Sequence, residues 1–597
     1  MIRLNIFLPF FRKRKKTEPP RRSPAGVLAP LLSDPETGRK GLIRRMLKGI
    51  GETWLSSPWR RVVQASFFLL FVLLFVFVVW PYGGTNYAQH RESKEIIAAE
   101  LFLIIDPLVS LSTAIAAKSW VWSLTAAAVI LAICLIIPRG FCGYVCPLGT
   151  VIDLFDWAIG RRIQRWKLKD QNRGWWVNLK YYLLAGCLVS SVFGLLLTGF
   201  VAAIPVITRA FLFLVKPLEL GFTKGWYLNT GFNAGHIISV LLFLAILFLG
   251  VFRRRFWCQY VCPSGALFSL GNFFRTTERK VETSCISCNK CVEVCPFDAI
   301  KPDYNTRTAD CTLCQTCGGV CPTHSIKFVD RWDHFNLKPL DADVERLPSR
   351  RGFLAGMLAG AGLAAVGVRS GFSATPPVRP PGSLPEEQFL QACIRCGECF
   401  QACPNDVLQP AGFEHGFKGL WTPHVVANWA GCESTCNNCG QVCPTGAIRA
   451  LPIEEKRVAR MGLAKVESNC LPLAGREACQ LCVDECNAAG YHAIEFMRVH
   501  PKLDDSGNPI DGSGFSAPVV LADKCVGCGL CQTRCHVINV KTKKLISSVA
   551  IVVEAGPGKE DRLSSGSYLA LRERERQTKA PAPAASDSYL PDFLRDK

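Results

Sequence analysis

Twenty-four of the thirty cysteines in this 597-residue chain fall into six groups of four, and this pattern constrains the fold more than any other feature. Four groups have the spacing C-x2-C-x2-C-x3-C, and the other two are variants of it. Such runs wrap three thiolates around one [4Fe-4S] cube and direct the fourth to a neighbouring cube. Disulfide frameworks do not repeat this spacing, and zinc sites use separate C-x2-C knuckles. The sequence therefore predicts six [4Fe-4S] clusters.

Each predicted ligand set combines three cysteines of one run with the last cysteine of another. In the first two runs the sets are Cys285, Cys288, Cys291 with Cys321, and Cys311, Cys314, Cys317 with Cys295. The outer two of the four later runs share one spacing, which favours nested pairing. The nested sets are Cys393, Cys396, Cys399 with Cys535; Cys525, Cys528, Cys531 with Cys403; Cys432, Cys436, Cys439 with Cys486; and Cys470, Cys479, Cys482 with Cys443.

Four apolar stretches indicate that part of the chain lies in a membrane. They cover residues 62–80, 121–138, 179–204 and 236–251, and at 1.5 Å per residue their lengths approach the hydrocarbon thickness of about 30 Å. The stretch 101–117 is interrupted by Asp106-Pro107, which predicts a re-entrant segment. Residues 1–61 hold 15 Lys or Arg and 4 Asp or Glu, so the positive-inside rule places this arm in the cytoplasm.

Two of the apolar stretches end in the same motif, which is an internal repeat. FCGYVCPLG and WCQYVCPSG each contain C-x3-C-P and place Cys142, Cys146, Cys258 and Cys262 at one membrane face. These thiols could pack as small apolar groups, form a redox dithiol or bind a further metal centre. The remaining cysteines, Cys134 and Cys187, lie in apolar stretches and are expected to be packing residues.

The charge pattern and the histidines exclude two classes of function. The net charge of +21 arises from basic residues beside apolar stretches, so no nucleic-acid partner is expected. No C-x2-C-H motif occurs among the nine histidines, and no haem is predicted. The ionisable residues Asp106, Arg209, Lys216 and His236 lie near membrane segments, which is a hint of function. Asp106 or His236 could accept protons at a quinol site, or these residues could cap helices or lie in interfacial loops.

The predicted fold is multidomain: an all-α transmembrane bundle with α+β bacterial-ferredoxin-type modules on both sides. The bundle has four spans, a re-entrant segment and a fifth helix with SRRGFLAG at its start, which has the form of a Tat signal. The predicted regions are a disordered basic arm (1–60), the transmembrane domain (61–283), a cytoplasmic two-cluster module (284–347), the Tat-like anchor (348–372), a Pro-rich linker (373–385), a periplasmic four-cluster module (386–555) and a disordered tail (556–597).

The motif order resembles two ferredoxin-type protein families. Residues 60 to about 335, with twin C-x3-C-P motifs and two cluster runs, resemble NapH of the periplasmic nitrate reductase system. Residues 349 to about 555, with the twin arginine and four cysteine runs, resemble NapG, and the MauN and MauM proteins of methylamine utilisation are similar. The chain resembles a fusion of the two. Asn487 and His536 depart from the pattern, because Pro follows the last cysteine elsewhere.

The resemblance implies a multi-pass protein of the bacterial inner membrane, exported with help from the Tat translocon. Its substrate would be the quinol pool in the lipid, and its acceptor a periplasmic metalloenzyme or electron carrier. The protein would thus be a possible quinol dehydrogenase component. An alternative is a MauM- or NosR-like maturation factor that supplies electrons or thiol chemistry to a periplasmic metalloenzyme. A scaffold with purely structural clusters is disfavoured, since six clusters exceed any folding need.

Overall fold

The computed structural model of the protein describes residues 56–79, 98–160, 175–223, 234–333, 336–340, 349–369, 376–504, 510 and 513–578. Almost all of the predicted basic arm (1–60) and residues 579–597 of the predicted tail lie outside this part of the chain. The described residues form a helical bundle and two cysteine-rich modules. These modules keep the names two-cluster module and four-cluster module after the number of clusters predicted for them.

The bundle consists of two repeats with a similar order of elements. The first repeat comprises α1 (Pro58–Val79), α2 (Leu101–Ile104), α3 (Pro107–Ala117), α4 (Ser123–Ile136), a π-helical turn (Phe141–Val145) and α5 (Pro147–Phe155). The second comprises α6 (Leu179–Val192), α7 (Thr198–Val201), α8 (Ala203–Leu214), the additional α9 (Lys216–Thr223), α10 (Ala234–Phe248), a π-helical turn (Trp257–Val261) and α11 (Pro263–Gly271). Each C-x3-C-P motif therefore occupies a π-helical turn between two helices.

Each repeat contains a broken helix pair inside the bundle. In the first, the break is at Asp106, whose carboxylate accepts a hydrogen bond from the Leu108 N–H at 3.1 Å and caps α3. In the second, α6 ends at Val192, Gly194 reverses the chain with φ +75°, and α7 and α8 follow. The prediction of one continuous helical span over 179–204 is therefore wrong, because an apolar run does not reveal a turn buried within it.

Among the residues that the structure describes, two helical segments are long and apolar enough to cross a membrane, namely Pro58–Val76 and Ala234–Val251. Pro107–Ala117 and Ser123–Cys134 are apolar but shorter. The four-span count therefore stays a prediction. The helices share one apolar core, in which the Phe71 ring contacts Phe102 and Phe211 edge to face, with centroids 5.5 and 5.4 Å apart.

The helix that carries the twin arginine, α14 (Arg350–Arg369), packs closely along α6. A Cβ atom on Gly356 would lie 2.6 Å from the Tyr182 carbonyl oxygen, and one on Gly360 would lie 2.4 Å from that of Gly186. Only glycine permits so close an approach, as in the small-residue interfaces of membrane helices. The helix is therefore an integral part of the bundle.

The two-cluster module is a small α+β unit. The strand β1 (Thr277–Val281) pairs antiparallel with β2 (Ile326–Asp330), with Val281 opposite Ile326. Between them, α12 (Lys290–Val294) and α13 (Thr316–Val320) each carry the third cysteine of a run. Phe297, Ile300 and Leu313 are buried among the thiols and form the core.

The four-cluster module consists of two halves with separate apolar cores. The first contains α15 (Glu386–Ala392), α16 (Glu398–Gln401), β3 (Leu408–Pro410), α17 (Gly416–Gly419), β4 (Pro423–Val425), α18 (Asn438–Gln441) and α19 (Ile453–Val458). The second contains β5 (Leu463–Val466), α20 (Leu481–Ala488), β6 (Ile494–Val499), β7 (Phe515–Val520), α21 (Leu530–Cys535) and β8 (Ile551–Glu554). The antiparallel pairs are β3 with β4, β5 with β8, and β6 with β7.

The predicted linker and part of the predicted tail are packed in the structure. In the predicted linker (373–385), Arg379 is 1% exposed and pairs with Glu386 at 2.6 Å. In the predicted disordered tail (556–597), α22 (Tyr568–Thr578) lies on α19, and the Glu455 carboxylate accepts from the Tyr568 N–H at 2.6 Å. The prediction of disorder is wrong for α22, because composition does not reveal such a buried cap.

The two modules contact opposite ends of the bundle helices. Just beyond the end of α10, Arg253 pairs with Asp298 of the two-cluster module. At the start of α10, the Gly235 carbonyl accepts from the Trp421 indole N–H of the four-cluster module at 2.7 Å. The helix α6 also contacts both modules. At its start Lys180 pairs with Asp310 of the two-cluster module, and beyond its end Gly194 contacts Gln391 of the four-cluster module. The bundle therefore separates the two modules along its helix axes.

Candidate iron-sulfur centres

Two cavities of the two-cluster module are each lined by four cysteines. One is lined by Cys285, Cys288, Cys291 and Cys321. The other is lined by Cys295, Cys311, Cys314 and Cys317. Each cavity thus combines three thiols of one run with the last thiol of the other, which is the grouping that the sequence predicts.

The backbone of the unmodified runs explains how three thiols reach one centre. The residues on both sides of the second cysteine have positive φ in all four C-x2-C-x2-C runs. These residues are Ser287 and Asn289, Leu313 and Gln315, Arg395 and Gly397, and Gly527 and Gly529. Left-handed backbone is uncommon outside glycine, so its recurrence at equivalent positions indicates a loop shaped by what it encloses. The donor sets therefore fit [4Fe-4S] clusters.

In the four-cluster module the structure groups the thiols differently from the nested prediction. Burial raises the pKa of Cys399 well above its ordinary value, and charge on Cys396, Cys393 and Cys443 adds to the shift. Electrostatic influence between neighbouring thiols identifies the members of each group, and one cavity is lined by all four cysteines of the last group. The groups are Cys393, Cys396, Cys399 with Cys443; Cys432, Cys436, Cys439 with Cys403; Cys470, Cys479, Cys482 with Cys535; and Cys525, Cys528, Cys531 with Cys486. Nested pairing is wrong, because consecutive runs fold into one half of the module.

Several cysteines that serve as the fourth member of a set lie within hydrogen-bonding distance of N–H donors. The thiol sulfur of Cys295 accepts from the Ala299 N–H at 3.3 Å, and that of Cys486 accepts from the Ala493 N–H at 3.3 Å. The side-chain amide of Asn539 lies 3.8 Å from the sulfurs of both Cys479 and Cys535, which supports their placement in one set. N–H donors of this kind favour thiolate and tune cluster potentials.

A pair of double variants tests the grouping. Cys396→Ser and Cys443→Ser remove ligands of one set, so we expect the double variant to lose no more iron than either single variant, about four atoms. Cys396→Ser with Cys535→Ser removes ligands of two sets, and we expect a loss of about eight atoms. Iron per chain after anaerobic purification measures both. If the Cys396/Cys535 double variant lost about four iron atoms and the Cys396/Cys443 double variant about eight, the nested pairing would be correct.

The four sets of the module form a connected series that starts at the bundle. The backbone N–H of Cys432 donates to the Cys528 carbonyl at 2.7 Å, which joins the second set to the set of the other half. At the near end, Cys396 belongs to the same apolar core as the bundle helices. The series therefore runs from the bundle into the far half of the module.

A buried arginine holds the first set against the bundle. The Arg209 guanidinium, on α8, donates to the carbonyls of Gly199 at 2.6 Å and Arg395 at 2.7 Å. It also stacks over the Trp421 ring at 4.2 Å, and the Arg209 residue is fully buried. Arg395 lies between Cys393 and Cys396, so this contact fixes the first cysteine loop. Sequence reasoning noted the charge near a membrane segment but could not identify its partner.

The four cysteines of the C-x3-C-P motifs converge where the bundle meets the two-cluster module. Thr312 and Phe297 of the module lie 3.5 and 3.6 Å from where a Cβ atom on Gly143 would be. Cys146 and Cys262 are buried, and Cys142 and Cys258 are partly buried beside them. Cys134 and Cys187 lie buried inside α4 and α6, as expected for packing residues.

The two candidate quinol-site residues do not share a site. Asp106 is fully buried and accepts from Leu108 N–H and from the Ser264 hydroxyl at 3.3 Å, close to Cys262. The His236 ring packs against Phe213 with centroids 4.5 Å apart, at the bundle end that contacts the four-cluster module. Asp106 therefore acts as a helix cap, and the two groups are not brought together around one ligand.

One further group of potential ligand atoms was not anticipated from the sequence. Atoms of Glu414, His415 and His424 lie within 4.8 Å of one another. The group sits on the β3–β4 hairpin, next to the segment that contacts the bundle. Eight residues lie between His415 and His424 in the sequence, so no common spacing motif indicates the cluster.

Three protein-family models match the chain. A 4Fe-4S binding domain matches residues 119–167 and 236–280, which include both C-x3-C-P motifs. A second 4Fe-4S binding domain matches residues 279–301. A 4Fe-4S dicluster domain matches residues 392–447, which are the two runs that the structure pairs in the first half of the four-cluster module.

Curated relatives cover different parts of the chain. The ferredoxin-type protein NapG of Escherichia coli (strain K12) is 36% identical over 219 residues, which are 34% of this chain and 87% of the relative. The methylamine utilization ferredoxin-type protein MauM of Methylorubrum extorquens is 39% identical over 26% of this chain and 67% of the relative. The ferredoxin-type protein NapH of Haemophilus influenzae is 28% identical over 46% of this chain and 90% of the relative. No solved structure matches.

Proposed function

Because the chain belongs to the family of the ferredoxin-type proteins NapG and MauM and also contains a NapH-like half, we propose that it oxidises quinol in the membrane and passes the electrons to a periplasmic metalloenzyme. The relatives and the matching domains show that the chain is an iron-sulfur electron-transfer protein.

The cysteine sets are the proposed ligands of six [4Fe-4S] clusters. Bound there, the clusters supply one-electron transfer, which the side chains of the chain cannot perform. Left-handed loops position the thiols of the four unmodified runs, and all the cluster thiols except Cys288 are buried or partly buried. Arg209 and Arg395 place two buried guanidinium groups beside the first set, where they balance negative charge on the thiolates.

The observation that carries the proposal is the position of the two modules at opposite ends of the bundle. A quinol in the bilayer would meet the bundle, and the first set of the four-cluster module lies directly against it. A soluble carrier has no need of such an arrangement. We therefore place the two-cluster module in the cytoplasm and the four-cluster module in the periplasm.

The same arrangement gives the twin-arginine helix a role. Since α14 is 20 residues long, at 1.5 Å per residue it extends about 30 Å, and it follows the two-cluster module and precedes the four-cluster module. We propose that its start recruits the Tat translocon and that the packed helix then stays in the membrane as an uncleaved anchor. The glycine contacts with α6 support retention.

The direct test is reduction of the purified protein by quinol. The anaerobically purified full chain in detergent is mixed with a menaquinol analogue, and the clusters are followed by visible absorption and EPR. We expect reduction of a fraction of the clusters, with dithionite defining the total. Cys187→Ser, which changes a buried thiol outside all the sets, serves as the control and should behave as the wild type.

The opposite outcome would favour the alternative function. If quinol leaves all clusters oxidised while dithionite reduces them, quinol oxidation is excluded. A deletion strain in which a periplasmic metalloenzyme stays immature would then support a maturation factor.

A further inference from the structure

Three potential metal ligands meet on the hairpin by which the four-cluster module contacts the bundle. One ligand atom from each of Glu414, His415 and His424 lies within 4.8 Å of the other two. Two imidazoles and one carboxylate are a donor set that binds zinc in proteins, with water in the remaining position. The group contains no cysteine, so it is separate from the proposed iron-sulfur ligands.

The register and the turn of the hairpin bring these residues together. In the pairing of β3 with β4, His424 stands opposite Gln409 and lies between two buried neighbours. Because side chains alternate across a strand, His424 faces away from the apolar core. The 3-10 turn Phe413–His415 supplies the other two ligands, whose atoms reach His424 on this face. The group is therefore built by one local element of the fold.

Two glycines position the ligands of the turn. A Cβ atom on Gly419 would lie 2.7 Å from the His415 Cβ, so only glycine leaves room for the histidine there. The Gly412 N–H donates to a carboxylate oxygen of Glu414 at 2.7 Å, which fixes the orientation of that side chain. Both ligands are thus held in place by the backbone around them.

The two imidazole rings have the mutual geometry of ligands on one ion. The centroids of His415 and His424 are 5.6 Å apart, and the ring planes are inclined by 70°. Two imidazoles on a tetrahedral zinc ion, with Zn–N bonds of about 2.0–2.1 Å, would place their centroids about 5 Å apart. The observed separation is close to this value, so one ion fits between the rings with little rearrangement.

Two buried nitrogens of the group have no hydrogen-bond partner in the described part of the chain. They are the Nδ1 atoms of His415 and His424. Buried polar atoms are nearly always satisfied in folded proteins, and each exception requires a reason. Two such exceptions in neighbouring rings, beside a carboxylate, are the arrangement that a bound cation would explain.

The charges around the group also suit a cation. Burial lowers the pKa of His424 to about 4, and the neighbouring His415 and Arg379 lower it further, whereas Glu414 opposes them. Burial also lowers the pKa of His415. Both imidazoles are therefore neutral near pH 7, which is the form that binds metal. The positive charge of Arg379 is balanced by Glu386 at 2.6 Å.

The ligands flank the segment that contacts the bundle. Between the two histidines, the Trp421 indole N–H donates to the Gly235 carbonyl at 2.7 Å. In the same segment, the Phe417 ring stacks on the Phe200 ring with centroids 5.2 Å apart. An ion bound at both ends of this segment would close it into a loop of fixed shape.

We propose that Glu414, His415 and His424 bind one zinc ion, with water completing its coordination. The ion joins the turn to β4 and holds the segment between them in the shape that contacts the bundle. Glu414 is exposed, so the ion can enter from solvent. The inference does not depend on quinol being the electron donor.

Zinc counting on the full chain tests the inference. The anaerobically purified protein in detergent is treated with EDTA, dialysed against ZnCl2 and analysed for zinc and iron in the same sample. We expect one zinc ion per chain in the wild type. Binding should be at least about a hundredfold weaker in His415→Ala and His424→Ala, with unchanged iron content. His492→Ala replaces an exposed histidine outside the group and should keep the zinc.

X-ray absorption at the zinc edge needs no variant and so covers the case in which the variants do not fold. In the wild type we expect only nitrogen and oxygen neighbours at about 2.0–2.2 Å, whereas thiolate ligands lie at about 2.3 Å. A shell of sulfur neighbours would overturn the proposal, because the zinc would then occupy cysteines. Equal zinc content in the wild type and a folded His424→Ala variant would overturn it as well.

Limited proteolysis tests the role of the ion at the interface. Added ZnCl2 should slow cleavage of the segment between the two histidines in the wild type but not in His424→Ala. Equal rates of cleavage with and without zinc in the wild type would show that the ion does not hold this segment.

Discussion

Replacing Arg209 with alanine is expected to release the four-cluster module from the bundle while leaving its clusters intact. The guanidinium donates to the carbonyls of Gly199, Arg395 and Phe200 and stacks over the Trp421 ring. Gly199 and Phe200 belong to the bundle, so only the hydrogen bond to the Arg395 carbonyl and the contact with Trp421 cross to the module. Because a hydrogen bond to a charged group contributes about 1.5–3 kcal/mol, we expect a loss of about this size at the interface. Quinol reduction of the module should then fall to background.

Arg449 offers a matched control for this variant. It donates to two carbonyls, those of Leu563 at 3.2 Å and Gly566 at 2.7 Å, and it lies over the Tyr568 ring, but it does so within the module. Arg449→Ala should leave quinol reduction unchanged. Limited proteolysis and stopped-flow absorption measure the two effects. If Arg209→Ala keeps wild-type reduction kinetics, the contact does not couple the module to the bundle.

Replacing Asp153 with asparagine is expected to destabilise the opposite end of the bundle. Its carboxylate accepts from Arg60 at 3.2 Å, Arg61 at 2.9 Å and Arg255 at 2.7 Å. Burial alone would raise the pKa of Asp153, but Arg255 and Arg60 outweigh it and hold the pKa well below its usual range. Removing the charge leaves buried guanidinium groups without a counter-ion, which costs about 3–5 kcal/mol.

The neighbouring Asp156 provides the control, since its carboxylate lies 3.9 Å from Arg254 and both side chains are partly exposed. Asp156→Asn should change stability by less than about 1 kcal/mol. Thermal unfolding of the detergent-solubilised protein is the measurement. Asp153→Asn should lower the melting temperature, because Arg255 also holds the Cys142 loop. An unchanged melting temperature would show that the arginines find other partners.

The sequence predicted those features whose residues lie close together along the chain. The cysteine runs identified all 24 thiols that the structure gathers into six groups, and the resemblance to NapH and NapG is confirmed by the relatives. The break at Asp106-Pro107 also appears, because a proline and a capping carboxylate act within one turn. The repeat of the C-x3-C-P motifs reappears in the structure, where both motifs occupy equivalent π-helical turns.

Features set by tertiary packing could not be predicted. The pairing of cysteine runs depends on which helices pack together, such as α20 with α21, and equal spacing in the outer runs carried no such information. The end of α6 at Val192 was hidden because apolar residues continue on both sides of the turn. The docking role of Arg209 requires a partner 186 residues away in sequence.

We propose that six four-cysteine groups hold [4Fe-4S] clusters at both ends of one helical bundle. Mössbauer spectroscopy of the anaerobically purified, iron-57-labelled full chain, with iron and sulfide counted on the same sample, is the decisive measurement. We expect at least about twenty-four iron atoms per chain, nearly all with cubane parameters. Iron far below that number, or iron without cubane parameters, would contradict it.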